Sequence, residues 1–222
     1  MTLKSLRLPH LPSAVLLVAL CAIWILLGLF RHEPWKPDEA YTFGLVYHIV
    51  KTGDWIVPTL AGEPFLEKPP IFFIVAALFA KAATPWLSLH DGARLATALF
   101  MALVFLFTGL TSRALYGPRH GYLSVVILLG CASLIVHGHK LITDTALLCG
   151  FAMSYYALAI SSERPKTAGL LLGTGVGLGF MAKGLLAPGI LGLTAGALLF
   201  CSGWRNKNYL VCLAVSLLAM AP

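Results

Sequence analysis

The sequence has few charged residues: Asp, Glu, Lys and Arg together make up 11% of its 222 residues. Soluble domains carry about 25%, so this scarcity excludes a water-soluble globular protein. Hydrophobic residues account for 59% of the chain, which also excludes a disordered protein, because disorder requires a polar composition. The five cysteines lie in apolar stretches without Cys-x-x-Cys spacing, and neither a zinc nor a redox motif is indicated. The composition is that of a polytopic membrane protein.

Acidic residues are scarcer than basic ones, with nine Asp and Glu against sixteen Lys and Arg. The basic residues are spread over short loops between apolar runs. This pattern is typical of membrane topology signals and differs from the basic surface of a nucleic-acid-binding protein. Nucleic acid is therefore excluded as a partner, and membrane lipids are expected around the chain.

The apolar runs predict an all-α integral membrane protein with a single membrane domain over 1–222 and about seven transmembrane helices, since each crossing needs about 20 mostly apolar residues. These spans are predicted at about 11–30, 93–112, 121–138, 145–160, 167–182, 185–201 and 208–222. The first run is too long for the core of a signal peptide and is expected to remain uncleaved. The chain is either a compact seven-span protein or the front part of a longer fold.

Basic residues orient these spans. They cluster in four places, which the positive-inside rule assigns to the cytoplasm: the start of the chain (Lys4 and Arg7), 113–120, 161–166 and 202–208. The stretch between the start of the chain and 113–120 then holds three apolar runs, whereas a return to the cytoplasmic side requires an even number of spans. The run 69–86 is the weakest because it contains Lys81 and several prolines. We interpret it as a juxtamembrane or re-entrant helix in an outer loop over 31–92.

The acidic residues give an independent indication of where a site lies. By this assignment, all of them except Glu163 fall on the outer side. Acids have little part in setting topology, so their clustering indicates a polar site on that side. The outer segment 31–68 is also the only long polar stretch of the sequence.

The first candidate pair is Asp38-Glu39, which follows Pro37. Two carboxylates after a proline are a favourable helix start. They also suit a carboxylate at the membrane surface that accepts a proton or holds a metal ion. Both interpretations stay open.

The second candidate pair is Glu67-Lys68, directly before two prolines. It predicts either a helix start with a snorkelling lysine or an acid and a base in a site on the same side as Asp38.

Asp144 is the third candidate and lies in a short outer turn after Thr143. The two residues would suit a helix cap, whereas an ionisable residue at membrane depth is by default a functional candidate. Lys183 and Arg94 lie at outer helix ends. There each suits either snorkelling to the interface or binding of a lipid phosphate.

Glycines recur every second residue near the predicted span 167–182. They form two overlapping Gly-x-x-x-Gly pairs, Gly173 with Gly177 and Gly175 with Gly179. This spacing predicts close packing against a neighbouring helix.

Taken together, these motifs resemble the front half of a known family. They are Asp38-Glu39-Ala40-Tyr41, Thr52-Gly53-Asp54-Trp55 with Pro58, Gly62-x-Pro64-x-x-Glu67-Lys68-Pro69-Pro70, Ala93-Arg94-Leu95, Thr143-Asp144 and Ala182-Lys183-Gly184. The series is similar to the aminoarabinose transferase / protein O-mannosyltransferase family of GT-C glycosyltransferases, from about residue 33 to 190. Members usually run to more than twice this length, and His139 stands where relatives often have Arg.

The resemblance implies a GT-C-like membrane enzyme that moves a sugar from a polyprenyl-phosphate carrier to a lipid, protein or glycan acceptor, with inversion at the anomeric carbon. It implies a multi-pass protein of the cell inner membrane with a cytoplasmic N-terminus and a periplasmic active site. The endoplasmic reticulum, with a lumenal site, stays open as a location.

The resemblance also implies roles for individual residues. Asp38 and Asp144 would be catalytic, and Glu67 would be a ligand of a divalent metal ion, the one cofactor considered, or an acceptor contact. The substrate- and phosphate-binding residues would be Glu39, Lys68, Arg94 and Lys183.

Two other functions compete with the transferase. The first is an inactive fragment or accessory module that binds lipid-linked sugar, as the short length suggests. The second is a transporter of lipid-linked sugars, which would need ionisable residues throughout the membrane depth. The acidic candidates lie at one surface, which favours the transferase.

Overall fold

The structure, a computed structural model, describes residues 14–35, 37–201 and 203–220. Within this part the chain forms ten α-helices and one short β-hairpin. Lys4 and Arg7, on which the cytoplasmic placement of the start depends, lie outside the described residues, as do the first three positions of the predicted span 11–30.

Helices account for most of the described chain, as the composition predicts. In order they are α1 (Ala14–Leu26), α2 (Asp38–Thr52), α3 (Ile71–Ala83), α4 (Leu89–Tyr116), α5 (Pro118–Leu129), α6 (Ala132–His137), α7 (Asp144–Ile160), α8 (Pro165–Lys183), α9 (Leu186–Leu198) and α10 (Lys207–Met220). Prolines mark several of the starts, because a missing N–H costs nothing in the first turn of a helix. The start of α4 is capped by Ser88, whose Oγ accepts a hydrogen bond from the backbone N–H of Asp91 at 3.1 Å.

The segment 31–92, predicted to be an outer loop, contains the two expected helices α2 and α3 and also a hairpin that the all-α prediction lacks. Its strands are β1 (Thr59–Leu60) and β2 (Glu63–Pro64), paired antiparallel. The turn between them has positive φ at both Ala61 (54°) and Gly62 (89°), as the right-handed twist of a two-residue hairpin requires. Strands of two residues are too short to show an alternating pattern in a sequence.

The continuous helix predicted over 121–138 is wrong, because the chain breaks between α5 and α6. Helix α5 ends before Gly130, and α6 begins at Ala132. The indole N–H of Trp24 on α1 donates to the backbone carbonyl of Leu129 at 3.1 Å. This bond satisfies a carbonyl at the end of α5, where the helix leaves its last carbonyls without intrahelical donors.

Among the described residues, α4 is the one helix long and apolar enough to cross a membrane by length and composition. At 28 residues it spans about 42 Å. The shorter apolar helices are Ala14–Leu26, Ile71–Ala83, Asp144–Ile160, Leu186–Leu198 and Lys207–Met220. The count of seven spans therefore stays a prediction.

Large apolar side chains lie exposed on several of these helices. Val15 on α1, Leu193 on α9 and Leu218 on α10 are each more than three-quarters exposed. Water-soluble proteins rarely present extended apolar surface, so these faces suit contact with lipid chains.

Glycine allows α8 to approach α7 on one side and α10 on the other. A Cβ at Gly150 of α7 would lie 2.7 Å from the carbonyl oxygen of Gly175 and 2.9 Å from the nitrogen of Gly179. A Cβ at Gly173 would lie 2.7 Å from the carbonyl oxygen of Ser216 on α10. The predicted packing role is confirmed for these α8 glycines but is wrong for Gly177, where an added Cβ would have no neighbouring atom within 4 Å.

We expect Gly150→Ala to destabilise the protein by about 1–3 kcal/mol, because the added methyl group meets backbone atoms that cannot move aside. Gly177→Ala is the matched control. Its methyl group meets open space, so helix propensity alone should leave stability unchanged or raise it by up to about 1 kcal/mol. Thermal unfolding in detergent, followed by circular dichroism, measures both. Equal stabilities for the two variants would contradict the packing assignment.

Candidate active site

The site is built on a buried ion pair between Glu39 in the first turn of α2 and Arg94 near the start of α4. Both side chains are fully buried. The Nε and Nη2 atoms of Arg94 donate to Oε1 of Glu39 at 2.9 and 2.8 Å. Charge-assisted hydrogen bonds of this kind are about twice as strong as neutral ones, and burial protects them from water.

Two backbone N–H groups complete the shell of the Glu39 carboxylate. Leu141 donates to Oε1 at 3.0 Å and Trp35 donates to Oε2 at 2.8 Å. Burial alone would raise the pKa of Glu39. These two N–H groups and the Arg94 guanidinium act in the opposite direction, and the resulting pKa is lower than usual. Glu39 therefore stays ionised and joins the start of α2 to α4 and to the turn before α7.

The other hydrogen bonds of the Arg94 guanidinium are with the loop between α1 and α2. Its Nη1 donates to the backbone carbonyl of His32 at 2.9 Å, and its Nη2 lies 2.7 Å from Nδ1 of the same residue. Asp91 Oδ1 lies 3.7 Å from Nη1. Glu39 and Arg94 were expected to bind substrate or phosphate. In this structure both side chains are fully buried and bound to protein groups, and their binding of substrate or phosphate stays a prediction.

Asp38, directly before Glu39, is exposed. Its carboxylate lies close enough to the phenol of Tyr41, one helical turn further along α2, to raise the pKa of that phenol. The ammonium of Lys68 donates to the same phenolic oxygen and lies 4.7 Å from the centre of the Tyr41 ring. Phe65 stacks on the other side of this arrangement, with its ring centre 5.8 Å from that of Tyr41.

The phenol of Tyr41 connects an acid to a cation. Burial raises the pKa of Tyr41, the Lys68 ammonium lowers it, and the Asp38 carboxylate raises it again, so that the pKa lies above its ordinary value. Tyr41 therefore stays protonated, and its hydroxyl can donate to Asp38 while accepting from Lys68. An exposed carboxylate at the start of α2 and an ammonium just before α3 thus both lie near one phenol.

Asp144 and Lys183 form a second acid–cation pair. Asp144 begins α7 and Lys183 ends α8, and Nζ of the lysine lies 2.5 Å from Oδ1 of the aspartate. The two side chains are 48% and 33% exposed. Exposed pairs contribute about 1 kcal/mol or less to stability, so either group can exchange its partner for a ligand.

Thr143, next to Asp144, does not cap α7 as one interpretation of the sequence expected. It occupies the cap position with helical backbone angles, and its side chain makes no capping hydrogen bond. Its hydroxyl is buried and has no hydrogen-bond partner among the described residues.

Glu67 stands apart from these pairs. It is exposed and makes no hydrogen bond or ion pair with the described residues. No group of three or more His, Cys, Asp and Glu side chains that could hold a metal ion occurs in the described part of the chain. The residues present therefore do not form a metal site by themselves, and Glu67 would supply one ligand at most.

The structure pairs six of the seven predicted site residues: Glu39 with Arg94, Asp38 with Lys68 through Tyr41, and Asp144 with Lys183. The hydrogen bond from Leu141 to Glu39 brings the two exposed pairs toward the same region. Leu141 lies three residues before Asp144, a distance of at most about 11 Å along the chain. Sequence reasoning assigned no role to Tyr41, although its spacing from Asp38 places both on one helix face.

Removal of the Arg94 charge should destabilise the protein strongly. Arg94→Met leaves the Glu39 carboxylate buried without its counterion, which costs about 3–5 kcal/mol. The double variant Glu39→Leu/Arg94→Met removes both charges and should recover most of this loss. Chemical denaturation in detergent compares the three proteins. A single variant as stable as the wild type would contradict the assignment.

The same ion pair predicts that part of the free energy of unfolding is lost in acid. Because the pKa of Glu39 is lowered on folding, its contribution is complete above the unfolded-state value of about 4.3. The contribution is lost as the pH falls through the lower, folded-state value. Below about pH 4.3 the wild type should lose stability faster than Glu39→Leu/Arg94→Met. Parallel acid dependence of the two unfolding curves would count against an ionised Glu39.

Comparison with known proteins assigns this chain to a family. The family described as dolichyl-phosphate-mannose-protein mannosyltransferase matches residues 67–222. The undecaprenyl phosphate-alpha-4-amino-4-deoxy-L-arabinose arabinosyl transferase of Edwardsiella ictaluri is 34% identical over 188 residues, which are 78% of this chain and 32% of that protein. The enzyme of the same name from Serratia proteamaculans is 30% identical over 185 residues, with the same two shares. The chain thus spans about a third of the length of these curated relatives.

Solved structures share the fold. ArnT from Cupriavidus metallidurans bound to undecaprenyl phosphate superimposes with a TM-score of 0.80 at 20% identity, over 94% of this chain and 40% of that one. Its apo state gives 0.77 at 21% identity over the same shares. The family resemblance seen in the motifs is confirmed: the chain belongs to the dolichyl-phosphate-mannose-protein mannosyltransferase family of GT-C glycosyltransferases and corresponds to the N-terminal part of an aminoarabinose transferase-type member.

Proposed function

We propose that this chain is the catalytic front part of a membrane glycosyltransferase that moves a sugar from a polyprenyl-phosphate carrier to a lipid, protein or glycan acceptor. The observation that supports this most is that the exposed Asp38 carboxylate and the Lys68 ammonium both act on the same phenol, that of Tyr41. Glycosyl transfer from a lipid phosphate needs these two groups together. The cation binds the phosphate that leaves, and the carboxylate receives the proton of the nucleophile.

The step assigned to these residues is a single displacement. A lone pair of the acceptor nucleophile forms a bond to the anomeric carbon while the bond from that carbon to the carrier phosphate breaks. The phosphate leaves with the electron pair, and its charge is stabilised by Lys68. Asp38 orients the nucleophile and accepts its proton. This route gives inversion at the anomeric carbon.

The Asp144–Lys183 pair is proposed to act in the same site. Lys183 would exchange Asp144 for a phosphate oxygen of the carrier when the donor binds, because the pair is partly exposed. Asp144 would then be free to accept a hydrogen bond from the sugar or the acceptor. Glu39 and Arg94 act as positioning residues in this proposal, since both are buried.

The nature of the donor follows from the relatives. They are named as transferases of 4-amino-4-deoxy-L-arabinose from undecaprenyl phosphate, and we propose the same carrier class and sugar for this chain. A divalent metal ion bound by Glu67 would need further ligands from outside the described residues. No step of the proposed reaction depends on it.

We propose a multi-pass location in the cell inner membrane, with seven spans, a cytoplasmic N-terminus and a periplasmic active site. The acidic residues of the outer loops and the apolar surface of α1, α9 and α10 support this arrangement. The competing function is an accessory module that binds lipid-linked sugar without transferring it. The observation in favour of that alternative is that the chain spans about a third of the length of its relatives.

We expect Asp38→Asn to reduce transfer of radiolabelled sugar from a polyprenyl-phosphate donor by at least about 100-fold, the scale of general base catalysis. Asp144→Asn should reduce it about tenfold or more, the scale of one lost hydrogen bond to a charged group. Glu63→Gln is the matched control, because Glu63 is an exposed outer-loop acid outside both pairs. Membranes that contain this chain alone would be assayed. Transfer that survives both aspartate substitutions would exclude the proposed roles.

Lys68→Gln should weaken binding of polyprenyl phosphate at least about tenfold, since a charge-assisted hydrogen bond is worth about 1.5–3 kcal/mol. Titration of the purified protein in detergent measures this without any turnover. Lys81→Gln, which changes an exposed lysine of α3, should leave the affinity unchanged. Carrier binding that depends on Lys68, in membranes without transfer, would favour the accessory module. Binding that is insensitive to Lys68 would contradict both functions.

A further inference from the structure

One pocket of the described chain is lined by none of the four residues of the exposed acid–cation pairs. It has a volume of about 300 Å³ and opens where the end of α1, the loop before α2 and the residues around α6 meet. Leu27, Trp35, Ile135, Val136 and Lys140 form much of its wall, and neither Lys68 nor Lys183 lines it. In the predicted topology, this pocket lies at the outward-facing surface of the membrane that the chain spans.

The pocket carries a positive charge that no acid neutralises. Nζ of Lys140 lies 5.9 Å from the centre of the Trp35 ring, and no carboxylate of the described residues lies within ion-pair distance of it. Glu39 is the acid in the wall, and its charge is already compensated by Arg94. An anion that reaches the pocket therefore meets an unpaired ammonium.

The mouth of the pocket is apolar and exposed. Leu27, Ile135 and Val136 are 68%, 49% and 54% exposed, and Trp35 is 68% exposed. An exposed tryptophan beside aliphatic side chains is typical of the boundary between lipid chains and headgroups, where the ring faces both media. The surroundings of Lys140 thus suit a ligand that has an apolar chain beside its negative charge.

Each histidine of the wall is bound to the protein through at least one ring nitrogen. His139 directs Nδ1 at the carbonyl of Ile135 (2.8 Å) and Nε2 at the carbonyl of Trp24 (2.7 Å). Nδ1 of His32 is taken by Arg94. Lys140 supplies the one ammonium of this wall, and its exposed apolar neighbours suit a lipid that derives most of its affinity from its chain.

We propose that this pocket binds an anionic membrane phospholipid. Its phosphate contacts Lys140, and its acyl chain lies along Leu27, Ile135 and Val136, with Trp35 between the two. The site is separate from the proposed donor site at Lys68, and the proposal does not depend on sugar transfer.

The test uses Trp35 as a reporter in proteoliposomes. Bromine atoms on acyl chains quench indole fluorescence on contact, and the difference between wild type and Trp35→Phe isolates this tryptophan. The membrane is phosphatidylcholine with increasing fractions of brominated phosphatidylglycerol or, in a parallel series, brominated phosphatidylcholine. We expect half-maximal quenching at an about fivefold lower fraction of the anionic lipid, the preference that one lysine near an anionic lipid confers.

Three variants assign this preference to Lys140. Lys140→Gln should remove it, and Lys140→Arg should retain it. Lys51→Gln is the matched control, because Lys51 also lies over an aromatic ring, that of Tyr47 at 5.6 Å, and does not line the pocket. Circular dichroism checks that each variant is folded.

Equal quenching by the two lipids in the wild type would overturn the proposal without reference to any variant. Loss of the preference in Lys51→Gln would overturn it as well, by indicating a general surface-charge effect. Reversal of quenching by millimolar inorganic phosphate would show that the pocket takes a soluble anion, against the lipid assignment. Carrier binding at Lys68, measured separately, can succeed or fail in any of these cases.

Discussion

The buried Glu39–Arg94 pair is the interaction on which the arrangement of the outer loops depends. One carboxylate receives two donors from Arg94 of α4, one from the turn before α7 and one from the loop before α2. Glu39, Arg94 and Leu141 are distant from one another in sequence. A charge fully enclosed by donors fixes their relative positions in a way that non-directional apolar contacts could not.

The pair also explains why two adjacent acids have different roles. Successive residues of a helix point about 100° apart, so Glu39 faces the protein interior while Asp38 faces the surface. Asp38 is then placed by a neighbour that cannot move without breaking buried hydrogen bonds. Tyr41, one turn along α2, extends this order to Lys68 across the outer loop. The exposed chemistry is thus positioned by a buried charge that does not itself touch the surface.

Much of the architecture was predictable from local patterns. Apolar runs, prolines at helix starts and spaced glycines predicted most helices and the close approach of α8 to its neighbours. The break at Gly130 was not predictable, because the apolar run continues across it and a tertiary contact from Trp24 satisfies the end of α5. Motifs identified Glu39 and Arg94 as important but not as partners, since 55 residues separate them. Their burial depends on the tertiary fold and cannot be recognised from the local sequence around each charge.

The glycine contacts between α7 and α8 have a consequence for the second acid–cation pair. Asp144 and Lys183 lie at the adjoining ends of these two helices, whose backbones meet at Gly150, Gly175 and Gly179 with no room for a side chain. Helices in such contact slide or tilt only at the cost of backbone collisions. The Asp144–Lys183 pair is therefore held on a rigid pair of helices. If the proposed donor binds there, the rearrangement that admits it has to come from segments other than α7 and α8.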